Sequence, residues 1–231
     1  MTVVLATVCE DGVVLGSDSQ ITDKGRGMTY PAEKLHPLGE TAAWGGSGAR
    51  AVLTDVQRCF NENSAAILQA PDIGRALQGQ VLPILRHHYD TFIPDVPGEE
   101  GGGTPSAYVM AAGWRDGEPW ILEITPSGMI GHYADIGFHA IGSGAAMAQQ
   151  AGSLLSHFRL AKRSMRFGCA AVLRVLQSLD LTSASVGRPF SLCRIGEEGA
   201  HHFSDEEIEE TAEVVRRWEE SEQAVISKLF K

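Results

Sequence analysis

The feature that most constrains this chain is the uncharged, largely β-branched and aliphatic stretch at residues 1–8. A run of this kind indicates a strand that is buried on both faces. The segment 10–12 predicts a hairpin turn, in which Gly12 tolerates the positive φ of a tight turn, and residues 13–17 form the return strand that leads to Asp18. Chain termini usually fray, so a buried strand that begins at residue 2 indicates an N-terminus placed inside a site. The alternative is a strand that is N-terminal for structural reasons alone.

Length and charge restrict the class of protein. A chain of 231 residues favours one large domain, residues 1–231, over two small ones. The formal net charge of -10 argues against nucleic-acid binding through bulk electrostatics. No apolar run approaches the roughly 18 residues of a membrane-spanning helix, and the N-terminus carries neither a basic segment nor a signal-type cleavage site. We therefore predict a cytoplasmic protein that binds neither nucleic acid nor membrane.

Cysteine and histidine spacing argues against a metal centre. The cysteines are widely separated and form no C-x-x-C pair, so a zinc site or a disulfide framework is not expected. They are predicted to be small buried residues. The adjacent histidines at 87–88 and at 201–202 point in different directions on a helix or a strand, which makes them weak metal ligands. No metal or other cofactor is predicted.

The order of the predicted elements indicates the fold class. Strands are followed by two helices, further strands, two more helices, a strand pair and a final helix. This segregation is typical of antiparallel α+β proteins rather than doubly wound ones, and the helix pairs can cover the outer faces of two stacked sheets. Ser204 and Glu207 form a capping-box signature at the start of the C-terminal helix, residues 204–231. The predicted apolar stripe of this helix comprises Ile208, Val215, Trp218, Val225 and Leu229.

Thr2, Asp18 and Lys34 form a candidate catalytic group. If Met1 is removed, Thr2 carries a nucleophilic hydroxyl and a free amine, whose unperturbed pKa of about 7.7–8.0 allows it to act as the base for that hydroxyl. A neighbouring lysine would lower the pKa of the amine and stabilise developing negative charge, and a carboxylate would keep that lysine charged. From spacing alone, a surface ion pair between Asp18 and Lys34 is the simpler interpretation.

The hairpin register decides which face Asp18 occupies. A two-residue turn at 11–12 pairs Leu5 with Asp18 and leaves Asp18 on the face opposite to Thr2. One extra turn residue reverses that parity, and the sequence is compatible with both registers.

Two Gly-Ser-Gly segments, 46–48 and 142–144, each precede a predicted helix. In the simpler interpretation Ser143 is an N-cap and the glycines are turn residues. In the functional one, a backbone N–H there donates to an oxyanion. Residues 45–49 nearly match the G-x-S-x-G elbow of serine hydrolases, but Ala49 occupies the last position and that elbow belongs to another fold class.

Together these segments resemble the β-subunits of the proteasome superfamily, which are N-terminal nucleophile (Ntn) hydrolases. The resemblance is carried by Thr2 at the head of a strand and by the segments 11–19, 33–35, 46–49, 141–144 and 180–183. With only Met1 before Thr2, no propeptide is expected, as in HslV and in the ancestral β-subunit, Anbu. Residues 185–189 and the long acidic C-terminal helix are most similar to Anbu, whereas residues 20–22 are closer to HslV.

The resemblance implies a four-layer αββα sandwich of two antiparallel sheets flanked by helices. It also implies a threonine-type peptidase that cleaves peptides through an acyl-enzyme on Thr2. In that family Lys34 would tune the nucleophile, Asp18 would orient Lys34, and the Gly48 N–H would be the oxyanion donor. The residues implied to position the Thr2 amine are Ser143, Asp180 and Ser183.

The resemblance further implies a pocket for the residue before the scissile bond. Its predicted lining residues are Ile21, Thr22, Ala32, Gly46 and Arg50. Gly46 is expected to leave room, and Arg50 stands where the family usually has a small residue. A cation at the base of the pocket would favour acidic or polar residues over Lys or Arg.

The expected assembly is a homo-oligomer, either a ring or an open helical stack, that encloses the sites and takes peptides or unfolded proteins as substrates. The sequence identifies no unfoldase partner. Two other functions remain open: a catalytically silent ring or scaffold subunit, and an Ntn amidase or transferase that acts on a small molecule. The intact set of Thr2, Asp18 and Lys34 favours an enzyme over the scaffold.

Overall fold

The computed structural model describes residues 2–23, 27–94, 103–184 and 186–231, except for the side chain of Asp23. Two five-stranded antiparallel sheets make up its centre. The first sheet contains, in spatial order, β10 (Phe138–Ile141), β1 (Val4–Cys9), β2 (Gly12–Ser17), β11 (Ser191–Gly196) and β12 (Gly199–His202). The second contains β5 (Leu35–Pro37), β6 (Ala42–Gly48), β7 (Ala107–Arg115), β8 (Glu118–Ile124) and β9 (Ile130–His132). A separate hairpin consists of β3 (Gln20–Asp23) and β4 (Met28–Pro31).

Helices cover the outer face of each sheet. The second sheet is covered by α1 (Arg50–Gln69) and α2 (Ile73–Asp90). The first is covered by α3 (Ala145–Leu154), α4 (Met165–Thr182) and α5 (Asp205–Leu229). Two short 3-10 segments, Ser156–Phe158 and Leu160–Lys162, lie between α3 and α4.

Three apolar clusters fill the spaces between these four layers. Strand β7 shows the arrangement, because alternate residues of a strand point to opposite faces. Val109 and Ala111 contact the cluster under α1 and α2, whereas Met110 and Ala112 contact the cluster between the two sheets. The predicted four-layer αββα sandwich is confirmed.

The N-terminal strand is buried along its whole length, as predicted, and lies between β10 and β2. Met1 itself falls outside the described residues. The turn, however, consists of Glu10 and Asp11, since Cys9 already pairs with Gly12. The prediction that Gly12 supplies a positive φ is therefore wrong. A Cβ at Gly12 would lie 2.2 Å from the Ile195 carbonyl oxygen, so the glycine is required by the close approach of β11.

Residues 45–48 precede a helix, as predicted, but they are the last residues of strand β6 and do not form a turn. Strand β6 remains paired with β7 as far as Gly48, opposite Ala107, and α1 begins at Arg50. A Cβ at Gly45 would lie 2.8 Å from a Val4 methyl carbon and 2.9 Å from the Lys34 carbonyl oxygen. The absent side chain therefore allows β6 to pack closely against β1, which brings the two sheets together beside Lys34.

The C-terminal helix begins with the predicted capping box between Ser204 and Glu207. Val215 is buried and the Trp218 ring packs against Phe158 and Phe167. The second half of the predicted apolar stripe is wrong, because Val225 and Leu229 are 54% and 71% exposed. The helix has 25 residues and α4, on which it packs, has 18, so α5 is longer than the surface it covers.

All four cysteines are free, and Cys9, Cys169 and Cys193 are buried as expected. Burial raises the pKa of each of these three thiols to about 12, which makes them unreactive. Within the described ranges, no three or more His, Cys, Asp and Glu side chains are grouped so as to hold a metal ion. In the same part of the chain, no helix has the length and apolar character needed to cross a membrane.

Candidate active site

Asp18 and Lys34 form a buried ion pair beside the start of β1. The Lys34 Nζ lies 2.7 Å from Asp18 Oδ1 and donates a second hydrogen bond, also of 2.7 Å, to the Gln20 carbonyl oxygen. The two side chains are 5% and 0% exposed, so the interpretation as a surface ion pair is wrong. Burial lowers the pKa of Lys34, and the neighbouring Asp18 carboxylate opposes that shift.

Backbone donors complete the environment of the Asp18 carboxylate. Its Oδ1 accepts from the Val3 N–H at 2.9 Å, and its Oδ2 accepts from the Gln20 N–H at 3.1 Å and the Gly187 N–H at 3.4 Å. Donors of this kind stabilise the charged form of a carboxylate. Asp18 therefore joins three chain segments to Lys34.

The observed register of the β1–β2 hairpin is shifted by two residues relative to the predicted register that has a two-residue turn at 11–12. Val4 pairs with Ser17, and the Asp18 N–H donates to the Val3 carbonyl, so Asp18 lies opposite Val3. A shift of two residues does not change the face of the sheet on which Asp18 lies. The alternation of side chains along the strand would therefore, by itself, direct Asp18 away from Thr2. Thr2 precedes β1, however, and Asp18 reaches Lys34 alongside the Val3 backbone.

The loop after β10 holds Thr2. The Thr2 nitrogen donates to the Ser143 hydroxyl oxygen at 3.1 Å, and the Thr2 carbonyl accepts from the Gly144 N–H at 3.1 Å. The N-cap of α3 is Gly144, so the simpler interpretation of Ser143 as an N-cap is wrong. Gly142 has φ +94°, and a Cβ there would lie 2.3 Å from the Thr2 carbonyl oxygen. This position requires glycine because the loop runs directly against Thr2.

Thr2, Lys34, Gly48 and Ser143 line one cavity of about 610 Å³. All five residues of the predicted substrate pocket line it as well, namely Ile21, Thr22, Ala32, Gly46 and Arg50. Gly48 has φ +136°, and a Cβ there would lie 2.1 Å from the Ser106 carbonyl oxygen, so its peptide orientation depends on glycine. The predicted nucleophile, lysine, oxyanion donor and pocket thus share a single space.

Asp180 and Ser183 lie apart from this cavity lining. Ser183 is buried at the C-cap of α4, and Asp180 lies in the last turn of that helix, where its carboxylate accepts from Arg188 at 3.3 Å. Their predicted role toward the Thr2 amine stays a prediction. Ser185, in the segment that resembles Anbu, falls outside the described residues.

Sequence reasoning missed two residues that shape the site. The Gln20 side chain donates to the Ala184 carbonyl at 2.7 Å, while its backbone contacts both Asp18 and Lys34. Leu53 lies over Gly46, where a Cβ would come 2.4 Å from a Leu53 methyl carbon. The space expected beside Gly46 is therefore filled by Leu53. In the sequence, Leu53 belongs to the predicted apolar face of the first helix and so indicates only a core position. That face comprises Ala49, Val52, Leu53, Val56 and Phe60.

The two stacked antiparallel sheets, with helices on both outer faces, form a proteasome β-subunit-like, Ntn-hydrolase fold. No family model matches the sequence, and no curated protein matches it. Solved structures do match over nearly the whole chain. The fold is that of Anbu, the ancestral β-subunit.

Three of these structures illustrate the likeness. An Anbu (Gly-1) mutant from Hyphomicrobium sp. strain MC1 matches with a TM-score of 0.73 and 18% identity over 100% of both chains. Anbu from the same strain matches with a TM-score of 0.73 and 19% identity, over 100% of this chain and 99% of that one. Anbu from Yersinia bercovieri matches with a TM-score of 0.74 and 15% identity, over 98% and 97%. The predicted relationship to proteasome-like β-subunits is confirmed at the level of the fold.

Proposed function

We propose that this chain is a threonine-type peptidase whose nucleophile is the hydroxyl of an N-terminal Thr2. The observation that carries the proposal is that Thr2 shares its cavity with a buried lysine held at 2.7 Å by a buried carboxylate. Burying two charges is costly unless they are paired, and a fold does not need such a pair for stability. The position of the Asp18–Lys34 pair beside the first strand fits a role in activating Thr2.

The proposed reaction has two steps. The Thr2 oxygen forms a bond to the substrate carbonyl carbon while the free α-amine accepts the hydroxyl proton. The positive charge of Lys34 and a backbone N–H at Gly48 stabilise the negative charge that develops on the substrate oxygen. The C–N bond then breaks, the departing amine takes the proton, and an ester on Thr2 remains. Water hydrolyses that ester with the same amine as base, which restores Thr2.

We further propose that the chain works as a homo-oligomeric ring or helical stack, on peptides or unfolded proteins, in the cytoplasm. An assembly would cover large apolar side chains that are exposed near the C-terminal ends of three helices. They are Leu154, Leu181 and Leu229, at 77%, 88% and 71% exposure. The scaffold and small-molecule amidase functions are the competing proposals.

Covalent labelling tests the proposed function. Protein that begins at Thr2 is treated with an epoxyketone or a β-lactone, and the adduct is located by intact mass and peptide mapping. We expect one adduct per chain, on Thr2, in oligomers whose mass by light scattering is at least twice the mass of one chain. A Thr2→Ala variant should take up none. Absence of any adduct on Thr2 would favour the scaffold, and labelling of a monomer would favour the small-molecule amidase.

Gln20 provides a second test, because its side chain joins the Asp18–Lys34 pair to the segment that follows α4. In Gln20→Leu the hydrogen bond to Ala184 is lost while the backbone contacts of residue 20 remain. We expect kcat to fall several-fold with little change in KM, and unfolding free energy to fall by about 1 kcal/mol. Gln223→Leu, on the exposed face of α5, is the matched control. An unchanged kcat in Gln20→Leu would remove Gln20 from the positioning of Lys34.

A further inference from the structure

A buried pair of ionisable side chains lies between the two sheets, away from the residues that line the Thr2 cavity. Glu123 of β8 lies on the same face of its strand as Ile121, which contacts the apolar cluster between the sheets. His139 of β10 lies on the same face as Ile141, another member of that cluster. His139 Nε2 is hydrogen-bonded to Glu123 Oε2, and both residues are only 7% exposed. The pair therefore joins a strand of the second sheet directly to a strand of the first.

The Tyr133 ring fixes the plane of the His139 imidazole. The two ring centroids are 3.5 Å apart and the planes differ by 11°, so the rings are stacked. Tyr133 lies over Gly131, where a Cβ would come 2.7 Å from the Tyr133 Cε2 atom and 2.9 Å from its hydroxyl oxygen. Gly131 pairs with Glu123, and burial followed by the charge of that carboxylate raises the pKa of Tyr133. Glu123, His139 and Tyr133 thus form one group, here called the inter-sheet clamp.

The hydrogen bond of the clamp is directional, whereas the apolar contacts around it are not. Burying ionisable groups is costly, and apolar side chains of similar volume often stabilise a core at least as well. Hydrophobic burial depends mainly on the area removed from water and has no preferred direction. A hydrogen bond instead requires its donor and acceptor to keep one distance and one alignment. The clamp is therefore explained better by the position it gives β10 than by the free energy it contributes.

Strand β10 depends on such a contact because it is the edge strand of its sheet. It has four residues and pairs with β1 on one side, and within the described residues no strand pairs with its other side. It follows residues 133–137, in which the chain passes from the second sheet to the first. The clamp holds β10 at its second residue, His139, and so fixes this edge strand to the opposite sheet.

The end of β10 leads directly into the loop that holds Thr2. The clamp histidine precedes Ser143 by four residues, and the Ser143 hydroxyl accepts from the Thr2 nitrogen at 3.1 Å. The Gly144 N–H donates to the Thr2 carbonyl oxygen, also at 3.1 Å. A Cβ at Gly142 would lie 2.3 Å from that oxygen and 3.0 Å from the Ser47 hydroxyl oxygen, so the loop is packed tightly against both. Because closely packed groups leave no free space, a displacement of β10 also displaces Thr2.

We propose, building on the peptidase function above, that Glu123 and His139 are positioning residues for the N-terminal nucleophile. By fixing β10 to the second sheet, they hold Ser143 and Gly144 in contact with Thr2. Neither residue lines the cavity, so both act through the backbone and not through contact with substrate. Loss of the clamp should therefore misalign the hydroxyl and the amine of Thr2 while the substrate-binding surface is kept.

Replacing His139 by leucine tests the proposal, because leucine keeps an apolar volume between the sheets and removes the hydrogen bond. In full-length protein that begins at Thr2, His139→Leu should lower kcat about tenfold with little change in KM, since only the orientation of the nucleophile is lost. Ile195→Val and Ile195→Ala are the controls, because Ile195 lies in the same apolar cluster but on β11, opposite Val13. Whichever control matches the melting temperature of His139→Leu should keep its kcat.

An uncharged replacement of the pair shows whether its hydrogen bond is what positions β10. Glu123→Gln combined with His139→Gln places an amide N–H against an amide carbonyl at nearly the same volume. We expect this double variant to recover most of the kcat that His139→Leu loses, because the clamp acts through direction and not through charge. A double variant that regains thermal stability without regaining kcat would overturn the proposal.

Gly131→Ala tests the stacked side of the clamp and leaves Glu123 and His139 unchanged. The added methyl group would meet the Tyr133 ring at 2.7 Å, so the ring must leave its position on the imidazole. We expect kcat to fall several-fold while KM is kept, and this variant keeps the proposal testable if His139→Leu does not fold. An unchanged kcat in Gly131→Ala would overturn the part assigned to Tyr133.

Hydrogen exchange at the Gly144 amide, followed by NMR, does not depend on peptidase activity. This N–H donates to the Thr2 carbonyl, so local opening should make it exchange about tenfold faster in His139→Leu but not in the matched Ile195 control. If this difference is found in protein that neither cleaves peptides nor labels at Thr2, the peptidase function fails and the positioning of Thr2 stands. Unchanged exchange at Gly144 in His139→Leu, or an equal loss of kcat in the control, would overturn the positioning proposal alone.

Discussion

Protein that begins at Thr2 should hydrolyse peptides at least about a hundredfold faster than protein in which Met1 is retained, since a positioned general base contributes about 10²–10⁴ in rate. While Met1 is attached, the Thr2 nitrogen is an amide, which is not a base at neutral pH. The 3.1 Å contact with Ser143 can persist in both forms because an amide N–H and an amine can each donate. Lower activity in the protein that retains Met1 would therefore result from loss of the base and not from a change in the fold.

The comparison is made on one batch of protein. Half is treated with a methionine aminopeptidase and half is left with Met1, and intact mass establishes the N-terminus of each. Acetylation of the exposed Thr2 amine serves as the control that removes the base again. Equal peptidase activity in the two halves would exclude the N-terminal nucleophile mechanism, because that mechanism requires a free α-amine.

The pH dependence follows from the same group. The amine must be deprotonated to accept the Thr2 proton, and its unperturbed pKa is about 7.7–8.0. Lys34 lines the same cavity, and its positive charge is expected to lower that pKa, since it disfavours a second cation. The rate of the Thr2-initiated protein should consequently rise from about pH 6 to pH 8 and then level off. A rate that falls over this interval would show that the reactive base is another group.

Replacing Lys34 by alanine should abolish turnover and also destabilise the fold. The Asp18 carboxylate would keep its backbone donors but lose the cation 2.7 Å away while remaining 0% exposed. Removing one partner of a buried pair typically costs about 3–5 kcal/mol. For a chain of this size that loss lowers the melting temperature by roughly 10 °C. Thermal unfolding and single-substrate kinetics on the same preparation measure both effects.

A double variant separates catalysis from stability. Asp18→Asn with Lys34→Met removes both charges at similar volume, so much of the lost stability should return while turnover does not. Lys228→Ala, at an exposed position of α5, should leave both quantities unchanged. Near-normal hydrolysis by Lys34→Ala, or recovery of turnover in the double variant, would remove Lys34 from the mechanism.

Local patterns determined most of the architecture. The uncharged N-terminal run predicted a buried strand, and the order of strands and helices predicted an antiparallel layered fold, because burial and periodicity are recorded in short segments. The capping box at Ser204 predicted where α5 begins, since its hydrogen bonds join residues three apart. Thr2, Asp18 and Lys34 were identifiable as a group through their resemblance to a family.

Tertiary structure decided how these residues are arranged. Spacing cannot show that Asp18 and Lys34 are buried, because their burial depends on β6 packing against β1 through Gly45. Gly12 is required by the close approach of β11, which is distant in sequence. The space beside Gly46 is filled by Leu53, which lies on another element. The hydroxyl of Ser143 contacts Thr2 across 141 residues of chain. The sequence by itself thus determined the elements and the candidate chemistry, whereas contacts between distant segments decided which groups share the cavity and how much space it leaves.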